Sequence, residues 1–154
     1  MQHEPDYDVL VSPGGFVFCL VPWEGERVVP APYGLPDSEG QARLDQLCID
    51  IPPGLWDRET AFWSALTGWD LQHQGESEFT RLSEPDGLPL RLLLQRLDDP
   101  TPTVTAHPDF AAPQRRSLAP AHAALGAEVG PWTQLWTVMT DPVGRTYCLT
   151  GRKI

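Results

Sequence analysis

Val138-Met139-Thr140-Asp141-Pro142-Val143-Gly144-Arg145-Thr146-Tyr147-Cys148-Leu149 aligns without gaps on Val9-Leu10-Val11-Ser12-Pro13-Gly14-Gly15-Phe16-Val17-Phe18-Cys19-Leu20, at a constant offset of 129 residues (138 − 9). Val, Pro, Gly, Cys and Leu recur identically, and Phe18 stands opposite Tyr147. Each copy predicts strand, tight turn, strand. β-Branched and aromatic residues flank a Pro early in the turn and a Gly able to take positive φ.

A fainter repeat lies between the two hairpins. Leu44 to Ile51 alternates as a strand and stops at Pro52-Pro53-Gly54. Leu55 to Thr67 then predicts a helix, with Trp56, Phe62, Trp63 and Leu66 as its apolar set and Gly68 as its stop. Thr103 to Phe110 is a weaker strand, followed by a helix from about Pro113 to Leu125 that Gly126 closes. Three strand-like runs follow each helix: Trp69 to Gln74, Glu78 to Ser83 and Leu88 to Leu97 in the first unit, and Ala127 to Val129, Trp132 to Thr140 and Arg145 to Gly151 in the second. The chain therefore reads as two βαβββ units, 44–97 and 103–151, within a domain of residues 44–154. A hairpin at 1–22 and a Pro/Gly-rich linker at 23–43 precede them.

Composition narrows the function. Lys+Arg number 11 against 21 Asp+Glu, a net charge of −10, which disfavours a nucleic-acid partner because phosphate binding needs clustered cations. No apolar run approaches the ~20 residues of a membrane-spanning helix. Cys19, Cys48 and Cys148 are odd in number, share no CxxC spacing and sit between apolar residues. They suit reduced thiols, and with an acidic N-terminus unlike a signal peptide they predict a cytoplasmic setting. No Ser-His-Asp order, G-x-S-x-G elbow or phosphate-cradling glycine loop is present.

Four segments together carry a resemblance: residues 45–52, Ala61-Phe62-Trp63-Ser64-Ala65-Leu66-Thr67-Gly68-Trp69, residues 90–97, and the run from Trp136 through Asp141-Pro142-Val143-Gly144 to Tyr147-Cys148-Leu149. They resemble the vicinal oxygen chelate superfamily, in its glyoxalase/bleomycin-resistance-like branch. The resemblance implies an α+β fold in which paired βαβββ units form a curved mixed sheet around a cleft. The leading hairpin then resembles the end of a further, upstream unit.

By position, the resemblance places metal ligands on the first and last strand of each unit, at Gln46, Gln95, His107 and Cys148. The last-strand position, most often Glu in metal-dependent members, is Cys here, so the implied set holds one His, one Cys, two Gln and no carboxylate. A divalent metal (Zn, Fe, Mn or Ni) and no cofactor at all both stay open. His107 is the strongest single candidate, against a histidine satisfied by neighbouring backbone. Asp50 and Asp109 follow the two first-strand positions; as acceptors they could orient a neighbouring group, but a turn or helix-entry role is the first expectation for each. His122 falls on the apolar stripe of the second helix and suits a core histidine. Trp132 and Trp136 share parity on one expected strand, either packing under the helix or lining the cleft.

The expected function is capture of a small molecule, cationic or aromatic, in an acidic, aromatic-walled cleft. One alternative is a metal-dependent lyase, isomerase or dioxygenase chelating two vicinal oxygens. A second is an interaction module with a vestigial cleft. The resemblance also implies a homodimer, in which residues 6–21 extend the sheet of their own domain or pair with a second chain.

Overall fold

The computed structural model describes residues 2–3, 6–24, 28–73 and 77–154. Over them the chain runs β1 (Gln2–His3), β2 (Asp8–Val11), β3 (Val17–Leu20), β4 (Arg43–Ile51), α1 (Trp56–Thr67), β5 (Leu71–His73), β6 (Phe79–Leu82), β7 (Arg91–Arg96), β8 (Thr105–Ala111), α2 (Arg115–Ala124), β9 (Glu128–Trp132), β10 (Trp136–Thr140) and β11 (Thr146–Thr150). The architecture is α+β, with mixed pairing: β8 and β11 run parallel, whereas β5–β6, β6–β7, β9–β10 and β10–β11 are antiparallel. No described helix is long and apolar enough to cross a membrane.

Compactness divides the chain differently from its repeats. Unit 1 takes residues 1–28 and 48–106, and unit 2 takes 29–47 and 107–154. The division falls inside β4 and inside β8.

Unit 1 is built on α1. Its apolar face brings Trp63 against Ile49, Ile51, Leu82, Leu94 and Val104, and Gly68 ends it at φ 70° with its N–H on Ser64 O. The chain does not enter a strand at Trp69, as expected. Ser64 Oγ donates to Trp69 O and Trp69 N–H to Thr67 Oγ1, which hold the residue on the helix exit until β5 begins at Leu71. Gln74, the expected end of that strand, lies outside the described residues.

The leading hairpin β2–β3 belongs to this unit. It does not extend the β5–β6–β7 sheet but forms a separate three-stranded sheet, in the order β1-β2-β3. Its aromatic side chains are the reason: Phe16 and Phe18 pack on Trp63 at 6.1 and 5.1 Å between ring centroids, and Phe18 on Phe62 at 6.0 Å. Glu59, fully buried on α1, accepts Ser12 Oγ at 2.9 Å and the Gly14 N–H on one oxygen, and Trp63 Nε1 at 2.9 Å on the other. A Cβ at Gly14 would come within 3.0 Å of both Val104 and Glu59, so the close approach itself requires glycine there.

Unit 2 packs α2 on β10 and β11 through Leu118, Ala119, Met139 and Leu149. The segment expected as a linker contributes to this core. Ala42 is fully buried, and Tyr33 and Ala42 exchange two 2.8 Å backbone hydrogen bonds; residues 25–27 of that segment lie outside the described ones. The expected strand from Trp132 to Thr140 is split. Thr133 Oγ1 accepts the N–H groups of Leu135 and Trp136, turning the chain, so Trp132 closes β9 and Trp136 opens β10. Arg115, only 7% exposed, fixes that turn by donating to Thr137 Oγ1, Thr133 O and Gln134 O at 2.8–2.9 Å.

Candidate functional site

Strand alternation places Gln46 on the opposite face of β4 from Asp45 and Leu47, and His107 and Asp109 together on one face of β8. The parallel register of β8 and β11 sets Cys148 beside Asp109. Four polar side chains from three strands of unit 2 thus meet at a buried position. Gln46, Asp109 and Cys148 are 3%, 4% and 6% exposed, and 11% of the His107 side chain is accessible.

Asp109 is the centre of this group. Its Oδ2 accepts Gln46 Nε2 at 2.6 Å. Its Oδ1 lies 3.3 Å from His107 Nε2 but accepts no hydrogen bond of standard geometry. One ligand atom each from His107, Asp109 and Cys148 lies within 4.8 Å of the other two. Burial pushes the Cys148 thiol above its ordinary range; contact with His107 works against this shift and the Asp109 charge adds to it. A buried carboxylate is costly unless opposite charge or donors surround it, and here Gln46 and His107 supply part of that compensation.

The expected turn or helix-entry role for Asp109 is therefore corrected: it sits mid-strand. The alternation His107-Pro108-Asp109 carried the signal, but an interior proline, which lacks a ladder donor, obscured the strand.

The remaining site residues separate. Trp136 shares the face of Cys148, since Val138 pairs with Cys148 and Trp136 lies two residues before it. Trp132 does not share that face. It pairs with Thr137 on the α2 side, where the guanidinium groups of Arg115 and Arg116 stand 5.6 and 5.8 Å from its ring centroid. Gln95 belongs to unit 1, where its Oε1 accepts the Cys48 thiol at 3.7 Å. Asp50, next to the last residue of β4 and ahead of the entry to α1, stands 4.0 Å from the Cys48 sulfur.

His73 and His122 are held by neighbours. His73 Nδ1 meets Thr80 Oγ1 at 3.1 Å, and His122 Nδ1 meets Tyr147 OH at 2.8 Å. Burial lowers the His122 pKa and raises that of Tyr147 to about 12.

The resemblance implies a divalent metal, and the donors present decide whether one fits. Gln46 donates its amide nitrogen to Asp109, which leaves its carbonyl oxygen as the atom it could offer a metal. His107, Asp109 and Cys148 do fit: imidazole nitrogen, carboxylate oxygen and sulfur suit a borderline cation such as Zn²⁺, and the buried Oδ1 is open for a further bond.

The profile described as a glyoxalase-like domain matches residues 46–150. No curated protein matches the chain by sequence. A structure from Bacillus subtilis subsp. subtilis strain 168, described as a candidate dioxygenase, is 14% identical with a TM-score of 0.46, covering 93% of this chain and 48% of its own. Glyoxalase I from Zea mays is 16% identical with a TM-score of 0.34, covering 94% of this chain and 53% of its own. The chain spans about half the length of these solved structures.

Proposed function

The chain belongs to the glyoxalase-like domain family, and on that premise we propose that it binds a small molecule at the buried polar cluster of unit 2. One observation carries this reading: Asp109, 4% exposed, keeps Oδ1 without a hydrogen bond while Gln46 holds Oδ2. A guest presenting a cationic or N–H group completes the coordination of a carboxylate that burial otherwise penalises. Gln46 fixes the carboxylate, His107 offers a ring nitrogen, and Trp136 supplies an aromatic surface on the same face. The net charge of −10 favours the approach of cations. A planar cationic guest of the bleomycin type fits this description. The setting is cytoplasmic, in keeping with three free cysteines. A homodimer accompanies it, in keeping with the exposed Val11, Val17 and Leu20 of the hairpin.

Titration of tryptophan fluorescence with planar organic cations tests the reading. Saturation by the native chain and its loss in Asp109→Asn is the expected result. A flat response across the panel overturns it and leaves an interaction module in its place.

A second reading, a metal-dependent lyase, isomerase or dioxygenase, is favoured by the proximity of His107, Asp109 and Cys148. A divalent metal held by these three would supply Lewis-acid polarisation of a substrate oxygen. Gln46 would then hold Asp109 by its second oxygen, and the surrounding burial would exclude water from the reacting group.

A further inference from the structure

We infer that the groove between residues 35–37 and α2 is a second small-molecule site in unit 2, selective for a primary alkylammonium ion. It lies apart from the buried polar cluster: every described residue that lines it comes from residues 35–37 or 117–125. The inference therefore stands independently of any guest at Asp109.

Shape is the first support. The groove encloses about 330 Å³, within the ~300–1,000 Å³ range of small-molecule sites. Leu35 and Pro36 on one wall, with Ala121, Ala124 and Leu125 on the other, give it an apolar lining. The loop is pinned in place by its own contacts. Tyr33 and Ala42 exchange two backbone hydrogen bonds at its ends, Ser38 N–H and Oγ both donate to Leu35 O, and Glu39 N–H donates to Ser117 Oγ at 2.9 Å. Gly40 takes φ 125° against the Gln114 side chain, where a Cβ would come within 2.6 Å. Held this way, Asp37 stands in the groove wall at φ 59°, a left-handed conformation that aspartate and asparagine tolerate.

Charge sets the selectivity. Asp37 brings a carboxylate, and no cationic side chain is among the described residues lining the groove. Ala121 and Ala124 belong to the last turn of α2, where the helix dipole presents its negative end. His122, the basic residue of that turn, does little to offset this: its Nδ1 meets Tyr147 OH, and burial lowers its pKa. Pro120, inside α2, has no N–H to give Arg116 O, its i−4 carbonyl, which frees a further acceptor beside the groove. The two arginines of the first turn stand over Trp132 instead. Carboxylate, helix end and freed carbonyl together attract an N–H-bearing cation, and the lining suits its alkyl body. An organic anion of the same shape would meet like charge.

The test uses the whole ¹⁵N-labelled chain, titrated with hexylammonium, hexanol and hexanoate, with amide shifts as the readout. Hexylammonium should give saturable shifts confined to residues 34–40 and 117–125. Hexanol should bind more weakly, and hexanoate should give no shifts there. Asp37→Asn keeps a residue that tolerates the left-handed turn and should weaken hexylammonium binding by about fivefold, the scale of an exposed charge pair. Ala124→Phe, at an exposed position, should fill the groove and abolish the shifts. Thermal melts separate loss of binding from loss of fold, and the native titration needs no variant at all. Shifts centred elsewhere, hexanoate bound as well as hexylammonium, or full affinity in folded Asp37→Asn overturns the inference. A response that survives Asp37→Asn but disappears in Asp109→Asn assigns the amine to the buried cluster and overturns it too. A flat response to planar cations, with the hexylammonium shifts intact, removes the buried-cluster reading alone.

Discussion

Gln46 on β4 and Asp109 on β8 meet through a 2.6 Å hydrogen bond with both side chains almost fully buried. Two residues separated by 63 positions thereby fix the orientation of the one carboxylate in the candidate site. Gln46→Leu removes the donor and leaves a buried Oδ2 unpaired, which should cost about 1–3 kcal/mol. Urea unfolding measures this as a lower midpoint at unchanged slope; an unchanged midpoint would show that solvent replaces the amide.

Glu59 should behave as the fastener of the leading hairpin. Glu59→Gln replaces one oxygen with an amide nitrogen, so one of its donors (Ser12 and Gly14 on one oxygen, Trp63 on the other) loses its acceptor. The expected loss is about 1–3 kcal/mol. Amide exchange should rise at Gly14 and Phe16 before it rises in β6 or β7, and uniform loss of protection would count against a local role.

Arg115 makes three hydrogen bonds to the turn between β9 and β10. Lys cannot reproduce a planar fork, so Arg115→Lys should destabilise by about 1–3 kcal/mol despite keeping the charge. Full stability in that variant would mean that the turn holds through Thr133 alone.

Two titrations bound the stable pH range. Burial lowers the His122 pKa in the folded chain, so the unfolded chain binds the proton more readily, and stability should fall as pH drops below the ordinary histidine value of 6.5. Burial raises the Tyr147 pKa from 10.0 to about 12, so stability should fall again as pH rises through that interval. His122→Gln should flatten the acid slope and Tyr147→Phe the alkaline one, each read from melting temperature against pH.

What the sequence revealed was mostly local. Gly15, Gly68, Gly126 and Gly144 all adopt positive φ at the turns and helix ends where their neighbours demanded it. The site was less legible because it depends on register between distant strands. His107 and Cys148 could be carried by position, and the structure brings them together. Asp109 could not, since its importance comes from lying beside Cys148 on a strand that carries Pro108 in its interior. The shared parity expected of Trp132 and Trp136 failed for a local reason: Thr133 captures two backbone donors and turns the chain between them.

Of the three cysteines, Cys19 on β3 is exposed, while Cys48 and Cys148 are 1% and 6% exposed. A maleimide dye under native conditions should therefore attach at one place, on the strand whose Phe18 rests against Trp63. The folded chain thus carries its own single-position label, able to report by tryptophan-to-dye energy transfer whether the hairpin stays seated on α1.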